Sequence, residues 1–317
     1  MDLFHFGGFA VKILILGAGG VGGYLGARFI QKGQQVEFLL RPNTAAVVQR
    51  SGLSLRSPLG DWSGSGDIAD TQSGPFDLVI LSCKAFDLDA ALQDVRPFIQ
   101  RGTYILPLLN GVQHLDRISQ ALPDARLLGG VAHIGATIEG PGKIVHLNRL
   151  ATFLAGPLQN GAPIPNQLSK LFAETDGDEL TMQLVDNASH HMWTKLVFLA
   201  TLAASTCLHD ADIGTILMRP DGKQLILNLL HEAQRISASE GFDLPAGDLT
   251  RYREQLTEPG STATASMLRD MRAARSTEVE YILGDLVGRA IRNNIETPNL
   301  VAALLHVRAY EQKRASA

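Results

Sequence analysis

The stretch Lys12-Ile13-Leu14-Ile15-Leu16-Gly17-Ala18-Gly19-Gly20-Val21-Gly22 decides how the chain is read. A short apolar run ends in Gly17, Gly19 and Gly22, which gives G-x-G-x-x-G. Residues 24–30 follow with apolar side chains at helical spacing. The order is strand, tight turn, helix. In that setting the first glycine allows the turn, the second lets backbone approach a pyrophosphate, and the third lets helix and strand pack closely. The helix start at Gly20 and Val21 offers free N–H groups and a partial positive charge to phosphates. The plain alternative is a glycine-rich turn that binds nothing; the flanking strand and helix favour a dinucleotide site.

The remainder of the composition fits that beginning. A chain of 317 residues suggests two domains. Hydrophobic residues make up 45% and charged residues 19%, enough for large cores and against disorder. A net charge of −4 supplies no general basic field, so a nucleic-acid partner is not expected. The two cysteines, Cys83 and Cys207, stand in unrelated contexts and form neither a disulfide framework nor a zinc pattern, which suits a reducing cytoplasm. Residues 1–10 lack the basic start and length of a signal peptide. The longest apolar candidate for a membrane span, residues 196–204, is too short and is interrupted by Thr201, so no membrane association is expected.

Further along, residues 35–40 read as a second strand with Arg41 at its end. NAD enzymes place an acid at about this distance, roughly twenty residues past the glycines, to hold the ribose hydroxyls. An arginine there would attract a 2′-phosphate, so NADP is the expected cofactor; the alternative is a solvated loop arginine. Glu37 lies inside the strand and reads as a pleat residue. Residues 42–51 suggest a helix, and 53–57 with 62–65 a hairpin. A buried-type strand over 76–82 leads to Cys83-Lys84 at the C-terminal edge, where open α/β sheets bind ligands. Lys84 is therefore either a second phosphate contact or an ordinary loop lysine. A helix over 88–99 precedes a strand over 104–108, and Asn110-Gly111 stands just beyond it. Asn110 offers a donor and an acceptor near the expected nicotinamide, although Asn-Gly is also a strong turn pair. Strands are expected at 129–139, 143–147, 151–155 and 180–185, after which the pattern becomes helical to the end.

The helical half holds the best candidates for chemistry. From Met192 onward the segment 190–202 is apolar nearly all round, and Lys195 is its one charged residue. A lysine in such a helix needs a partner, and its pKa moves easily; the alternative is a side chain that snorkels to water. Adjacent His190 and His191 do not face one another on a helix, so no metal site is expected. Residues 225–240 read as another amphipathic helix. The segment 266–283 reads as one helix, with Met271, Ala274, Glu278 and Ile282 on one face. Glu278 then lies on the apolar side, with an intrahelical pair to Arg275 as the alternative role. The hydroxyl-rich stretch ending at Ser266 could be a cap.

Taken together, Gly17-Ala18-Gly19-Gly20-Val21-Gly22, Leu40-Arg41, Cys83-Lys84-Ala85, Asn110-Gly111, Trp193-Thr194-Lys195-Leu196, Ser266-Met267-Leu268-Arg269-Asp270 and Thr277-Glu278-Val279-Glu280-Tyr281-Ile282 resemble the ketopantoate reductase (2-dehydropantoate 2-reductase) family, over nearly the whole chain after residue 11. The resemblance implies that Lys195 and Glu278 are catalytic, that Asn110 binds substrate and cofactor, that Ser266 touches substrate, and that Arg41 and Lys84 favour NADPH. Better-known members carry asparagines four and eight residues after the lysine; this chain has Leu199 and Ala203, with Thr206 further along as a replacement polar group.

The expectation is thus an α/β Rossmann-type NADP-binding domain over residues 1–185 and an all-helical substrate domain over 186–317. The expected reaction is NADPH-dependent reduction of 2-dehydropantoate to (R)-pantoate, a step towards pantothenate. A same-fold reductase of another small 2-oxo acid and a non-catalytic NADP sensor are the alternatives. The apolar helical half could present a homodimer surface, though no residue fixes one.

Overall fold

The computed structural model describes residues 11–316; Met1–Ala10, for which no signal-peptide role is expected, lies outside them. The chain forms two compact units. One runs up to Leu109 and again from His114 to Ser189; the other holds Asn110–Gln113 and His190–Ala317.

The first unit starts with β1 (Lys12–Leu16), α1 (Gly20–Gln31), β2 (Gln35–Leu39), α2 (Pro42–Ser51), β3 (Leu53–Arg56), β4 (Trp62–Gly64) and β5 (Asp67–Ile68). It continues through β6 (Leu78–Leu81), α3 (Leu88–Val95), β7 (Tyr104–Pro107), α4 (His114–Ala121) and β8 (Arg126–Leu127). The long β9 (Gly129–Gly140) and β10 (Lys143–Gly156), then α5 (Asn166–Thr175) and β11 (Thr181–Leu184), complete it. Six strands form a sheet in the order β5-β2-β1-β6-β7-β8, every neighbouring pair parallel. This is the expected Rossmann-type arrangement. Strands covered on both faces are apolar throughout, as Ile13, Leu14 and Ile15 are at the centre, each fully buried.

A second sheet runs β11-β10-β3-β4, with β9 paired to β10. The β3–β4 hairpin is antiparallel, as its sequence suggests. The strands expected at 143–147 and 151–155 are one strand, β10, whose register against β9 shifts between His146 and Ala151. Asn148 Oδ1 accepts the Leu150 N–H there, so the polar interruption marks a bulge and not a strand end. The helix expected over 88–99 stops at Val95 and tightens into a 3-10 turn at Arg96–Phe98, because Pro97 has no N–H to extend it.

Helix α1 packs against both sheets by being thin. A Cβ at Gly26 would lie 2.3 Å from the Phe38 ring of β2, and one at Gly23 would lie 2.6 Å from Ile144 of β10. Phe29, Phe38, Phe153 and Phe172 fill the surrounding core, all fully or almost fully buried. Such burial is worth roughly 1.5–3 kcal/mol per side chain.

The second unit is helical: α6 (Ala188–His209), α7 (Ile213–Leu217), α8 (Gly222–Ser239), α9 (Ala246–Leu256), α10 (Ser266–Arg272), a π-helical turn at Glu280–Gly284 leading into α11 (Asp285–Arg292), and α12 (Pro298–Ala315). One expectation fails here. The segment 266–283 is not a single helix: α10 ends at Arg272, Ala274 takes a left-handed φ of 53°, and helix resumes only at Val279. Met271, Ala274, Glu278 and Ile282 therefore share no helix face. Among the described residues no helix is long and apolar enough to cross a membrane.

Candidate active site

In the first unit the glycine turn does what its spacing demands. Gly17 has a φ of 84°, a left-handed conformation in which glycine avoids the Cβ penalty. A Cβ at Gly22 would fall 2.1 Å from Ser82 Oγ and 2.8 Å from the Gly17 carbonyl, so only glycine brings the helix this close to β1 and β6. Gly19 differs: a Cβ there would meet nothing within 4 Å, which leaves open space for a phosphate to approach the backbone. Gly19 is also the N-cap of α1, supplies no side chain to cap it, and no acid stands in the first turn. The N–H groups of Gly20 and Val21 thus open a helix whose own first turn carries no acid to neutralise its positive end. These features fit a dinucleotide pyrophosphate.

Arg41 follows β2 as the N-cap of α2, with its side chain 78% exposed. Its guanidinium pairs with Asp87 at 3.3 Å. Lys84, also exposed, begins the 3-10 turn Ala85–Asp87, and the Asp87 N–H donates to the Lys84 carbonyl at 2.9 Å. Asp87 therefore ties the two cations to one turn, a role its position in the sequence does not announce. Glu37 pairs with Lys12 at 2.9 Å on the neighbouring strand.

In the second unit three side chains far apart in sequence meet. Lys195 Nζ donates to Asn110 Oδ1 at 3.0 Å, and Asn110 Nδ2 faces Glu278 Oε2 at 3.5 Å, the long limit of a hydrogen bond. The amide is oriented by its neighbours: its acceptor end meets an ammonium and its donor end a carboxylate. Lys195 is half-buried and Glu278 is 6% exposed. Burial pulls the Lys195 pKa down from 10.5 to about 8, while the Glu278 charge opposes that fall.

Local structure holds each member in place. Gly111 has a φ of 85°, and the chain bends at Asn110-Gly111, which presents Asn110. A Cβ at Gly111 would sit 2.8 Å from the Tyr281 carbonyl in the π-helical turn that follows Glu278. On α6, Trp193 stacks on Phe242 with ring centroids 5.4 Å apart, and Arg289 of α11 lies 5.1 Å over its ring. Arg289 is held by Asp285 at 2.9 Å and by Glu240. The alternative pairing of Glu278 with Arg275 does not occur as expected, since Arg275 pairs with Asp270 at 3.0 Å.

Ser266 opens α10 and lies apart from this trio along α6. The preceding Ala265 N–H donates to Thr206 Oγ1 at 3.4 Å, eleven residues or about 16 Å of helix beyond Lys195. Thr206 is fully buried, and its hydroxyl also donates to the Leu202 carbonyl at 2.8 Å. It is thus engaged by backbone on both sides, which counts against its use as a replacement polar contact. Leu199 and Leu202 are half-buried and fall on the Lys195 stripe of α6, whereas Ala203 is fully buried. Among the described residues no group of three or more His, Cys, Asp or Glu could hold a metal.

Known proteins match the chain in sequence and in fold. The family model for ketopantoate reductase PanE/ApbA matches residues 13–160, and the model for its C-terminal part matches residues 187–311. The chain is 30% identical to the uncharacterized oxidoreductase YkpB of Bacillus subtilis, covering 96% of this chain and 100% of that one. It is 28% identical to a 2-dehydropantoate 2-reductase of Streptococcus pyogenes serotype M18, covering 77% and 83%. In fold it resembles a PanE/ApbA family ketopantoate reductase from Ralstonia eutropha, with a TM-score of 0.86 at 21% identity over 96% and 100% of the two chains. It also resembles D-mandelate dehydrogenase in a ternary structure with NADH and anilino(oxo)acetate, with a TM-score of 0.83 at 22% identity over 96% and 99%. A strand-turn-helix fingerprint, a doubly wound sheet, a helical second unit and two matching family models make this chain an oxidoreductase of the ketopantoate reductase family.

Proposed function

We propose that the chain reduces a small 2-oxo acid with NADPH, with 2-dehydropantoate to (R)-pantoate as the first substrate to test. The observation that carries this reading is the line Lys195–Asn110–Glu278, an ammonium and a carboxylate bridged by one amide. When bound, the nicotinamide supplies the hydride that reduces the ketone. Lys195 in its ammonium form stabilises the developing alkoxide and donates the proton to that oxygen. Asn110 holds Nζ through its carbonyl oxygen and so fixes the direction of the donor. Glu278 holds the other end of the amide and, by its charge, favours the protonated lysine. Arg41 and Lys84 would hold the 2′-phosphate; Asp87, already paired to Arg41, would have to yield to that anion.

A second reading has its own support. The half-buried stripe beside Lys195 includes Phe198, Leu199 and Leu202, which would suit a 2-oxo acid with an apolar branched or aromatic tail. A substrate hydroxyl left unpaired against leucine would cost about 1–3 kcal/mol. A panel of 2-oxo acids, assayed with NADPH and NADH by cofactor absorbance, separates the two. The expected result is turnover with NADPH preferred, and Arg41→Ala should erase most of that preference. A wild-type preference for NADH would remove Arg41 and Lys84 from the proposed role. Cofactor binding with no turnover of any acid would leave the sensor reading.

A further inference from the structure

Glu278 stands on a segment that holds no regular structure of its own. Between Arg272 and Val279 the backbone is neither helix nor strand, and its turn is closed towards α10 by the Arg275 N–H donating to the Asp270 carbonyl at 2.9 Å. On its other side the segment is gripped by the last turns of α12. Tyr310 Oη donates to the Arg275 carbonyl at 2.7 Å. Glu311 Oε1 accepts the Thr277 N–H at 2.7 Å, and its other oxygen takes Arg314 Nε and Nη2 at 3.1 and 3.0 Å. Arg308 makes a two-point pair with Glu280, at 2.7 and 2.6 Å. The residues held are 275, 277 and 280, so the grip falls on both sides of Glu278.

We propose that Glu311, assisted by Tyr310 and Arg308, is a positioning residue: it fixes the backbone that carries Glu278 and thereby aims the Glu278 carboxylate at Asn110 and Lys195. This rests on the reading of that trio as the reducing site. Thr277 is 6% exposed, so water is a poor substitute partner for its N–H, and Glu311 is the acceptor that meets it. Arg314 in turn keeps Glu311 from rotating away. The contact between Asn110 and Glu278 is already at 3.5 Å, so a small drift of the segment breaks it. A residue one place from Glu278 is thus pinned by a side chain 34 positions later in the chain.

The test uses the full-length chain with two readouts. One is kcat for the 2-oxo acid that the panel identifies. The other needs no substrate: the rate at which an amine-directed acylating reagent labels Lys195, followed against pH by peptide mass spectrometry. Wild type should titrate near about 8. In Glu311→Ala the carboxylate loses its aim, so kcat should fall about tenfold and the Lys195 titration should move to lower pH by about half a unit. Glu311→Gln keeps an oxygen for the Thr277 N–H and should recover most of both. Tyr310→Phe removes one hydroxyl and should shift both readouts in the same direction by less; it carries the test if Glu311→Ala does not fold. Loss of stability with an unchanged titration and unchanged kcat would make the clamp structural only and overturn the proposal. If no 2-oxo acid is turned over but the titration still moves, the positioning role stands and the reductase reading falls.

Discussion

At Lys195 two effects act against each other on one ammonium. Desolvation favours the neutral amine, and the Glu278 carboxylate favours the charged one; the balance leaves the group near about 8 instead of 10.5. A donor with that pKa is protonated at neutral pH and gives up its proton more readily than a solvated lysine. The sign of the pH dependence follows. If Lys195 is the proton donor, reduction needs the ammonium, so kcat/KM for the 2-oxo acid should be level below the lysine pKa and fall as pH rises through about 8. Steady-state rates measured across that range test this; a limb that falls towards acid instead would assign the proton to another group. Lys195→Ala should lower kcat by about 10²–10⁴-fold, the range for general acid catalysis, while the cofactor dissociation constant is unchanged. Near-normal turnover in that variant would remove Lys195 from the mechanism.

Among the elements, α12 depends at its start on a residue remote in sequence. Its first turn begins with Pro298 after Thr297, and its N–H groups are satisfied by Glu232 of α8. That carboxylate is 6% exposed and accepts the Asn299 N–H at 3.1 Å, the Leu300 N–H at 2.8 Å and Asn299 Nδ2 at 2.6 Å. An acid at a helix N-terminus also meets the positive end of the helix dipole. Glu232→Ala would leave the buried Leu300 N–H and the two half-buried Asn299 donors without this acceptor, so a loss of about 2–4 kcal/mol is expected in urea unfolding; a change below half a kcal/mol would show that water replaces the carboxylate. The same example shows what the sequence conveys and what it does not. β1, the glycine turn and α1 are legible because strand period, turn residues and helix period lie within twenty consecutive residues. Asn110 and Lys195 are legible because each breaks a local pattern, an Asn-Gly after a strand and a lone charge in an apolar helix. The break at 273–278 is not legible: Ala274 has no intrinsic bias to a positive φ, and what holds the segment open comes from Tyr310 and Glu311. Asp87 is not legible for a similar reason, since its partner Arg41 lies on another strand connection.

For the molecule as a whole, the two units differ in the groups they offer. The first supplies glycines, a helix N-terminus and two exposed cations, features suited to phosphates; the second supplies the ammonium, amide and carboxylate. The second is not one continuous segment. Asn110–Gln113 belongs to it although the residues on both sides belong to the first, so the partner of Lys195 emerges directly beyond the sheet strand β7. A fragment beginning at residue 190 would therefore lack Asn110 and the hydrogen bond it makes. If binding and chemistry are separable in this way, a variant silent in turnover should still bind cofactor. A ligand at a hundred times its dissociation constant stabilises the form that binds it by about 2.7 kcal/mol. For a unit of this size that corresponds to a rise in melting temperature of roughly 5–10 °C. Lys195→Ala should show the same NADPH-induced rise as wild type by calorimetry. Gly19→Val, whose side chain would occupy the open space beside the turn, should show little or none while its unliganded melting temperature stays close to wild type. Equal NADPH stabilisation in Gly19→Val and wild type would mean that the cofactor sits elsewhere, and the assignment of the fingerprint turn would fail with it.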